Sequence, residues 1–227
     1  MKGKRVFYCE LAYVVGIIVL ALGTAFMERA DFGMSMVVAP AYLIHLKLSQ
    51  AFPAFTFGIS EYVFQALLLV LLSLVMGKAK KGYLFSFVTA FLYGNILDTA
   101  ISLVAMLPCA GILWQVIFYI AGLIICAVGV AFLLHTYFPP EAYELIVKEF
   151  SQKFKLTIGT TKTIYDCCSC GLGIVLSLCF FQTFVGVKWG TIVCAIINGW
   201  LIGRISNFLE KNFVWKDAFP LRSKLQS

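Results

Sequence analysis

A chain of 227 residues that is 61% hydrophobic, with mean hydropathy +0.93 and only 13% charged residues, is not a water-soluble globular domain. Such domains carry about a quarter charged residues. The formal charge of +7 invites a nucleic-acid partner, but the basic residues sit at the ends of apolar runs, where the inner face of a membrane places them.

The first basic cluster, within residues 1–5, precedes an apolar run over residues 11–26. It resembles a secretory leader, but further apolar runs and an internal repeat predict a retained first span. Residues 33–49, with Ser35, Pro40, His45 and Lys47, are too polar to cross and are predicted to form an interfacial or re-entrant helix. Apolar runs over residues 63–76, 83–107 and 112–134 follow, each near the length of a span. Residues 141–155, EAYELIVKEFSQKFK, are amphipathic and predicted to lie exposed at the interface, and two last runs cover residues 171–187 and 191–202. The tail over residues 212–227 is polar, carries Pro220, and is expected to fray. The prediction is an all-α, polytopic membrane bundle of six transmembrane helices plus two short helices.

The chain reads as two copies of one unit. Residues 16–32, GIIVLALGTAFMERADF, align with residues 122–138, GLIICAVGVAFLLHTYF. At constant offset Gly16, Gly23, Ala25, Phe26 and Phe32 meet Gly122, Gly129, Ala131, Phe132 and Phe138. Three spans per unit make the second copy antiparallel to the first, an arrangement found in many secondary transporters. The division is residues 1–107, residues 108–211 and a tail over 212–227, with Pro108 to Gly111 as an outside hinge.

Charge sets the orientation. With the N-terminus inside, Lys2, Lys4, Arg5, Lys78, Lys80, Lys81, Lys148, Lys153, Lys155, Lys162, Arg204, Lys211, Lys216, Arg222 and Lys224 face the cytoplasm, fifteen of eighteen basic residues. Arg29, Lys47 and Lys188 do not. Both termini are therefore expected in the cytoplasm.

The order of motifs resembles the YczE/YyaS/YitT family of bacterial membrane proteins. The likeness rests on Leu22 to Phe26 (LGTAF) and Ala30 to Ser35 (ADFGMS) in the first copy. In the second it rests on IGTTKTIYD ending at Asp166, VGVKWGT ending at Thr191, and Asn198-Gly199. The resemblance implies a multi-pass protein of the bacterial inner membrane and an architecture rather than an activity.

Ionisable groups within spans are costly, about 2.5–3.5 kcal/mol for a carboxylate at mid-helix, and are functional candidates by default. Glu61 and Gln65 are four residues apart, as are Lys162 and Asp166, and Asn95 and Asp98 are predicted to share a helix face. With Asn198 these form the candidate substrate or proton-coupling set. Lys162 and Arg204 also fit interfacial cations with extended stems, and the starts FTFGIS at Phe55 and Thr157-Ile158-Gly159 read as helix caps. Cys167, Cys168 and Cys170 match no zinc spacing, and His45 and His135 stand alone, so no metal and no cofactor are expected. No nucleophile–base pair suggests an enzyme. The expected function is secondary transport of a small solute between two inverted repeats, with the lipid bilayer and that solute as partners and homo-oligomerisation open. The other reading is an accessory protein that docks a partner through the amphipathic helix.

Overall fold

The structure is a computed structural model describing residues 5–77, 81–156 and 158–218. Lys2, Lys4, Lys78, Lys80, Thr157, Pro220, Arg222 and Lys224 lie outside the described residues. In chain order the elements are β1 (Arg5–Tyr8), α1 (Cys9–Ala30), α2 (Ala39–Leu48), α3 (Phe57–Met76), α4 (Lys81–Ala105), α5 (Ile112–Leu134), α6 (Ala142–Phe154), α7 (Ile158–Phe181), α8 (Trp189–Asn212) and β2 (Phe213–Lys216). Six helices, α1, α3, α4, α5, α7 and α8, are long and apolar enough to cross a membrane. The 10 residues of α2 reach about 15 Å, half the hydrocarbon thickness. The chain is an all-α polytopic bundle.

The breaks follow local chemistry. Pro40 starts α2, where its missing N–H costs nothing. Gly77 closes α3 in the left-handed conformation, φ 68°. The run predicted to extend to residue 187 stops at Phe181. There the Ser177 hydroxyl donates to the Thr183 carbonyl at 2.7 Å and accepts the Val185 N–H at 2.7 Å, folding the chain into a turn.

The centre of the bundle is the crossing of α1 and α5, which run antiparallel. Gly16 lies against Gly129, and Gly23 against Gly122. A Cβ on Gly23 would sit 2.5 Å from the Cys126 nitrogen and 2.9 Å from the Gly122 carbonyl oxygen. One on Gly122 would sit 2.8 Å from the Gly23 carbonyl oxygen. The backbones are in contact, the arrangement that small residues allow between helices in lipid. Because α1 and α5 run in opposite directions, α2 and α6, which follow them, lie at opposite ends of the bundle.

Around this pair, α4 packs on α1, with the Tyr13 hydroxyl 2.7 Å from Thr89 Oγ1 and the Tyr93 hydroxyl 2.9 Å from Thr24 Oγ1. α3 packs on α4 through Gly58 and Gly94, where a Cβ on Gly58 would overlap the Gly94 carbonyl. The second half is looser. Among the described residues, α7 packs on α2 and α6 and α8 packs on α5, with little contact between α7 and α8. Gly171, Gly199 and Gly203 have nothing near the place a Cβ would take.

Two expectations are corrected. Residues 213–216 do not fray: β2 pairs in parallel with β1, Arg5 opposite Phe213 through Tyr8 opposite Lys216. The Phe7 ring sits 5.6 Å from both Phe132 and Trp215, and Trp215 stacks on His135 at 4.7 Å. These aromatic contacts outweigh the polarity of the tail and hold both ends of the described chain on one face. Nor is α6 exposed. Tyr143, Leu145, Ile146 and Val147 are buried against α3, α4 and α7, and Lys148, Gln152 and Lys153 face outward. A wall of protein accepts its apolar face more completely than the headgroup region would.

Replacing Gly23 by Val is expected to destabilise the protein by about 2 kcal/mol or more through backbone overlap, seen as a large fall in the thermal unfolding midpoint in detergent. Gly203→Ala, which meets open space, is expected to leave that midpoint unchanged or raised.

Candidate functional site

A cavity of about 340 Å³ lies between α1, α5, α6, α7 and α8, with Tyr93 of α4 and the α1–α2 connection at its wall. This falls at the small end of ligand-pocket volumes. Glu141, Glu144, Lys162, Asp166 and Asn198 line it, with Thr24 from the central crossing. Three of these, Lys162, Asp166 and Asn198, belong to the set predicted from sequence.

Lys162 and Asp166 are one turn apart on α7. The Lys162 ammonium lies 3.0 Å from Glu144 Oε1 of α6 and 3.4 Å from Asp166 Oδ1. One cation is thus shared between two carboxylates about 30% exposed or less, a partly dry environment where such pairs are stronger than at a free surface.

Glu61 and Gln65 stand behind the cavity wall and are fully buried, at 0% exposure. The Gln65 amide nitrogen donates to Glu61 Oε1 at 3.2 Å and to Glu141 Oε2 at 3.4 Å. Its carbonyl oxygen accepts the Ala142 N–H at 3.0 Å, and the Tyr143 hydroxyl donates to Glu61 Oε1 at 2.6 Å. One oxygen of each carboxyl, Glu61 Oε2 and Glu141 Oε1, has no partner. Among the described residues no ion pair reaches Glu61 or Glu141. Two carboxyls bridged by one amide in a dry setting cannot both ionise cheaply. Burial, then the charges of Glu61 and Glu144, push the Glu141 carboxyl well above the usual carboxylate range.

Glu141 was not among the residues singled out from sequence. It follows Pro139-Pro140 at the start of an amphipathic helix, where an acidic residue reads as a cap. In the structure its side chain makes no cap hydrogen bond; it turns to Gln65 instead. Pairing the two halves across the bilayer is the step that could have found it.

Asn95 and Asp98 are not brought to the cavity. Three residues along a helix leave about 60° between side chains, enough to separate them here. Asn95 is exposed and donates to the Phe91 carbonyl at 2.7 Å. Asp98 caps α3: its Oδ1 accepts the Gly58 N–H at 2.7 Å, and its Oδ2 accepts the Thr56 hydroxyl at 2.5 Å. Thr56 in turn accepts the Ile59 N–H at 3.2 Å. Arg204 is also outside, its guanidinium 5.3 Å from the Trp200 ring. Among the described residues no three or more His, Cys, Asp or Glu side chains are placed to hold a metal ion.

The cavity is bounded unequally. At the end where α1 finishes, the connections α1–α2 and α7–α8 are laced together. Gly190 N–H donates to the Phe32 carbonyl at 2.8 Å, Met34 N–H to the Gly186 carbonyl at 2.9 Å, and Lys188 pairs with Asp31 at 2.7 Å. Tyr119 adds a hydrogen bond to the Gly190 carbonyl. Between α7 and α8 the lining residues Thr163, Ala195 and Gly199 are exposed, so the cavity opens there.

Residues 7–207 match a family described as one of unknown function (DUF6198), and the chain belongs to that family. No curated protein and no solved structure matches the chain.

Asp98→Ala is expected to lower stability by about 1–3 kcal/mol through the lost cap, read as a lower unfolding midpoint, without changing ligand affinity of the folded fraction. The burial of Glu141 gives a second expectation. A carboxyl whose folded-state affinity for protons exceeds that of the unfolded chain stabilises the fold when protonated. That stability is complete below the ordinary carboxylate range and is lost as pH rises through the folded-state value. Melting curves of the wild type should therefore fall with rising pH more steeply than those of Glu141→Gln; equal slopes would remove Glu141 from the proton's account.

Proposed function

We propose that this membrane protein is a secondary transporter of a small solute, with its site between two inverted repeats and a proton held by the Glu61–Gln65–Glu141 cluster as the coupling element. The observation that carries the reading is a cavity at the junction of the two halves, latched at one end by Asp31 and Lys188 and walled by unpartnered carboxyl oxygen.

The repeat reading is supported by the way contacts exchange. The alignment that carries Gly16 onto Gly122 and Gly23 onto Gly129 turns the contact Gly16–Gly129 into Gly122–Gly23, which is the other contact of the same crossing. Likewise α2 contacts α3 and α7, and α6 contacts α7 and α3. Two units related in this way can rock about a fixed central site, which is the basis of alternating access. The end that carries both β strands is assigned to the cytoplasm, because most basic residues fall on that side of the proposed topology. A bacterial inner membrane is the proposed location.

The accessory reading loses its motive, since the apolar face of α6 that would dock a partner is already covered by α3, α4 and α7. No catalytic step and no cofactor are proposed.

The test is flux. Proteoliposomes holding the purified chain and a trapped pH dye are exposed to a panel of metabolites and ions under an imposed pH gradient. At least one panel member should move protons through the wild type and fail to do so through Glu141→Gln and Glu61→Gln. A panel that moves no protons in the wild type, or moves them equally in both variants, overturns the reading.

A further inference from the structure

The charges around the cavity point to a class of solute. Three carboxyls, Glu141, Glu144 and Asp166, face one cation, Lys162. Lys162 is engaged by Glu144 and Asp166 together, so that trio is already negative before Glu141 is counted. Glu141 Oε1 has no hydrogen-bond partner on a residue only 6% exposed. An unpartnered buried carboxyl oxygen is a place for a proton or for a positive charge.

The remaining wall is hydrocarbon, contributed by Leu20, Leu123, Val130, Leu133 and Ile202 among others. Tyr93 and Tyr143 add aromatic rings whose hydroxyls are already bonded to Thr24 and Glu61. Rings and hydrocarbon suit a large, weakly hydrated cation and not a small hydrated one. The mouth at Thr163, Ala195 and Gly199 lies between two apolar spans, so a solute entering there comes from lipid and not from water.

Resting on the transporter reading, we propose that the cavity takes a membrane-partitioning, monovalent organic cation that enters sideways between α7 and α8 and displaces the proton at Glu141. One positive charge enters as one proton leaves, so the charge of the cavity is conserved. Protons and the cation then compete for one carboxyl, whose surroundings are Glu61 and Gln65 from α3, Tyr93 from α4, Tyr143 and Glu144 from α6, and Lys162 and Asp166 from α7, with Tyr13 of α1 and Cys126 of α5 within electrostatic reach.

The test uses radiolabelled tetraphenylphosphonium and the purified full chain in nanodiscs. Binding should saturate, weaken as pH falls, and drop by about tenfold or more in Glu141→Gln, with melting curves confirming that the variant is folded. Its isosteric anion, tetraphenylborate, should not compete. Gly199→Leu, placed at the mouth where nothing opposes a larger side chain, should slow association without altering the melt. Absent saturable binding, binding indifferent to Glu141→Gln, or equal competition by tetraphenylborate overturns the inference, the last marking an unselective apolar pocket. Association unchanged in Gly199→Leu overturns the sideways route. Flux of an anionic or strictly hydrophilic solute without phosphonium binding sinks this inference alone. Glu141-dependent binding without flux upholds the site and sinks the transporter reading alone.

Discussion

Backbone contact between α1 and α5 is the constraint on which the bundle depends. Within lipid there is no hydrophobic force to press two apolar helices together, so their association rests on close van der Waals contact and a few hydrogen bonds. Gly23, Gly122 and Gly129 let the two helices touch where even a methyl group would not fit, and Gly16 leaves little more room. That contact places Thr24 and Cys126 beside each other, 3.7 Å apart, and fixes the floor of the cavity. The remaining helices take their positions from this pair, α4 against α1 and α8 against α5.

The first four helices and the last four are packed differently. In the first, Gly58 meets Gly94 and Asp98 pins the start of α3, so α3 and α4 form one rigid slab. In the second, α7 and α8 stay apart and the cavity fills the gap between them. The polar chemistry follows the same division. Glu61 and Gln65 are locked inside the tight half, whereas Lys162, Asp166 and Asn198 line the open half. Glu141, carried by the connection into α6, accepts a hydrogen bond from Gln65 and shares the cavity wall with the second group. In the transport proposed above, it is the link between the proton and the solute.

Much of this was legible from residue order. Runs of apolar residues gave the spans, and the polarity of residues 33–49 excluded a seventh. The paired glycines seven residues apart return to one face of a helix after two turns, but only the structure shows that the two stripes meet each other. What escaped was information that lives between segments. Glu141 has no periodic or motif signature; its role comes from Gln65, 76 residues earlier in the chain. Asn95 and Asp98 look alike in sequence, and only the approach of α3 to α4 separates an exposed amide from a capping carboxylate. The burial of α6 was missed for the same reason, since an amphipathic helix reads identically whether lipid headgroups or protein covers its apolar side.

The pairing of β1 with β2 carries a consequence for how the molecule is made. Arg5 to Tyr8 are synthesised before α1, yet their strand partner begins at Phe213, after α8. Every span must be synthesised before that ribbon can close, and Phe7 must wait for Trp215 although Phe132 reaches it sooner. Contacts between segments so far apart in sequence form late because the loop they close is long. The ribbon is thus a clasp fastened only after α1 to α8 have been made, and a chain shortened within α8 would keep the buried crossing while losing the fastening.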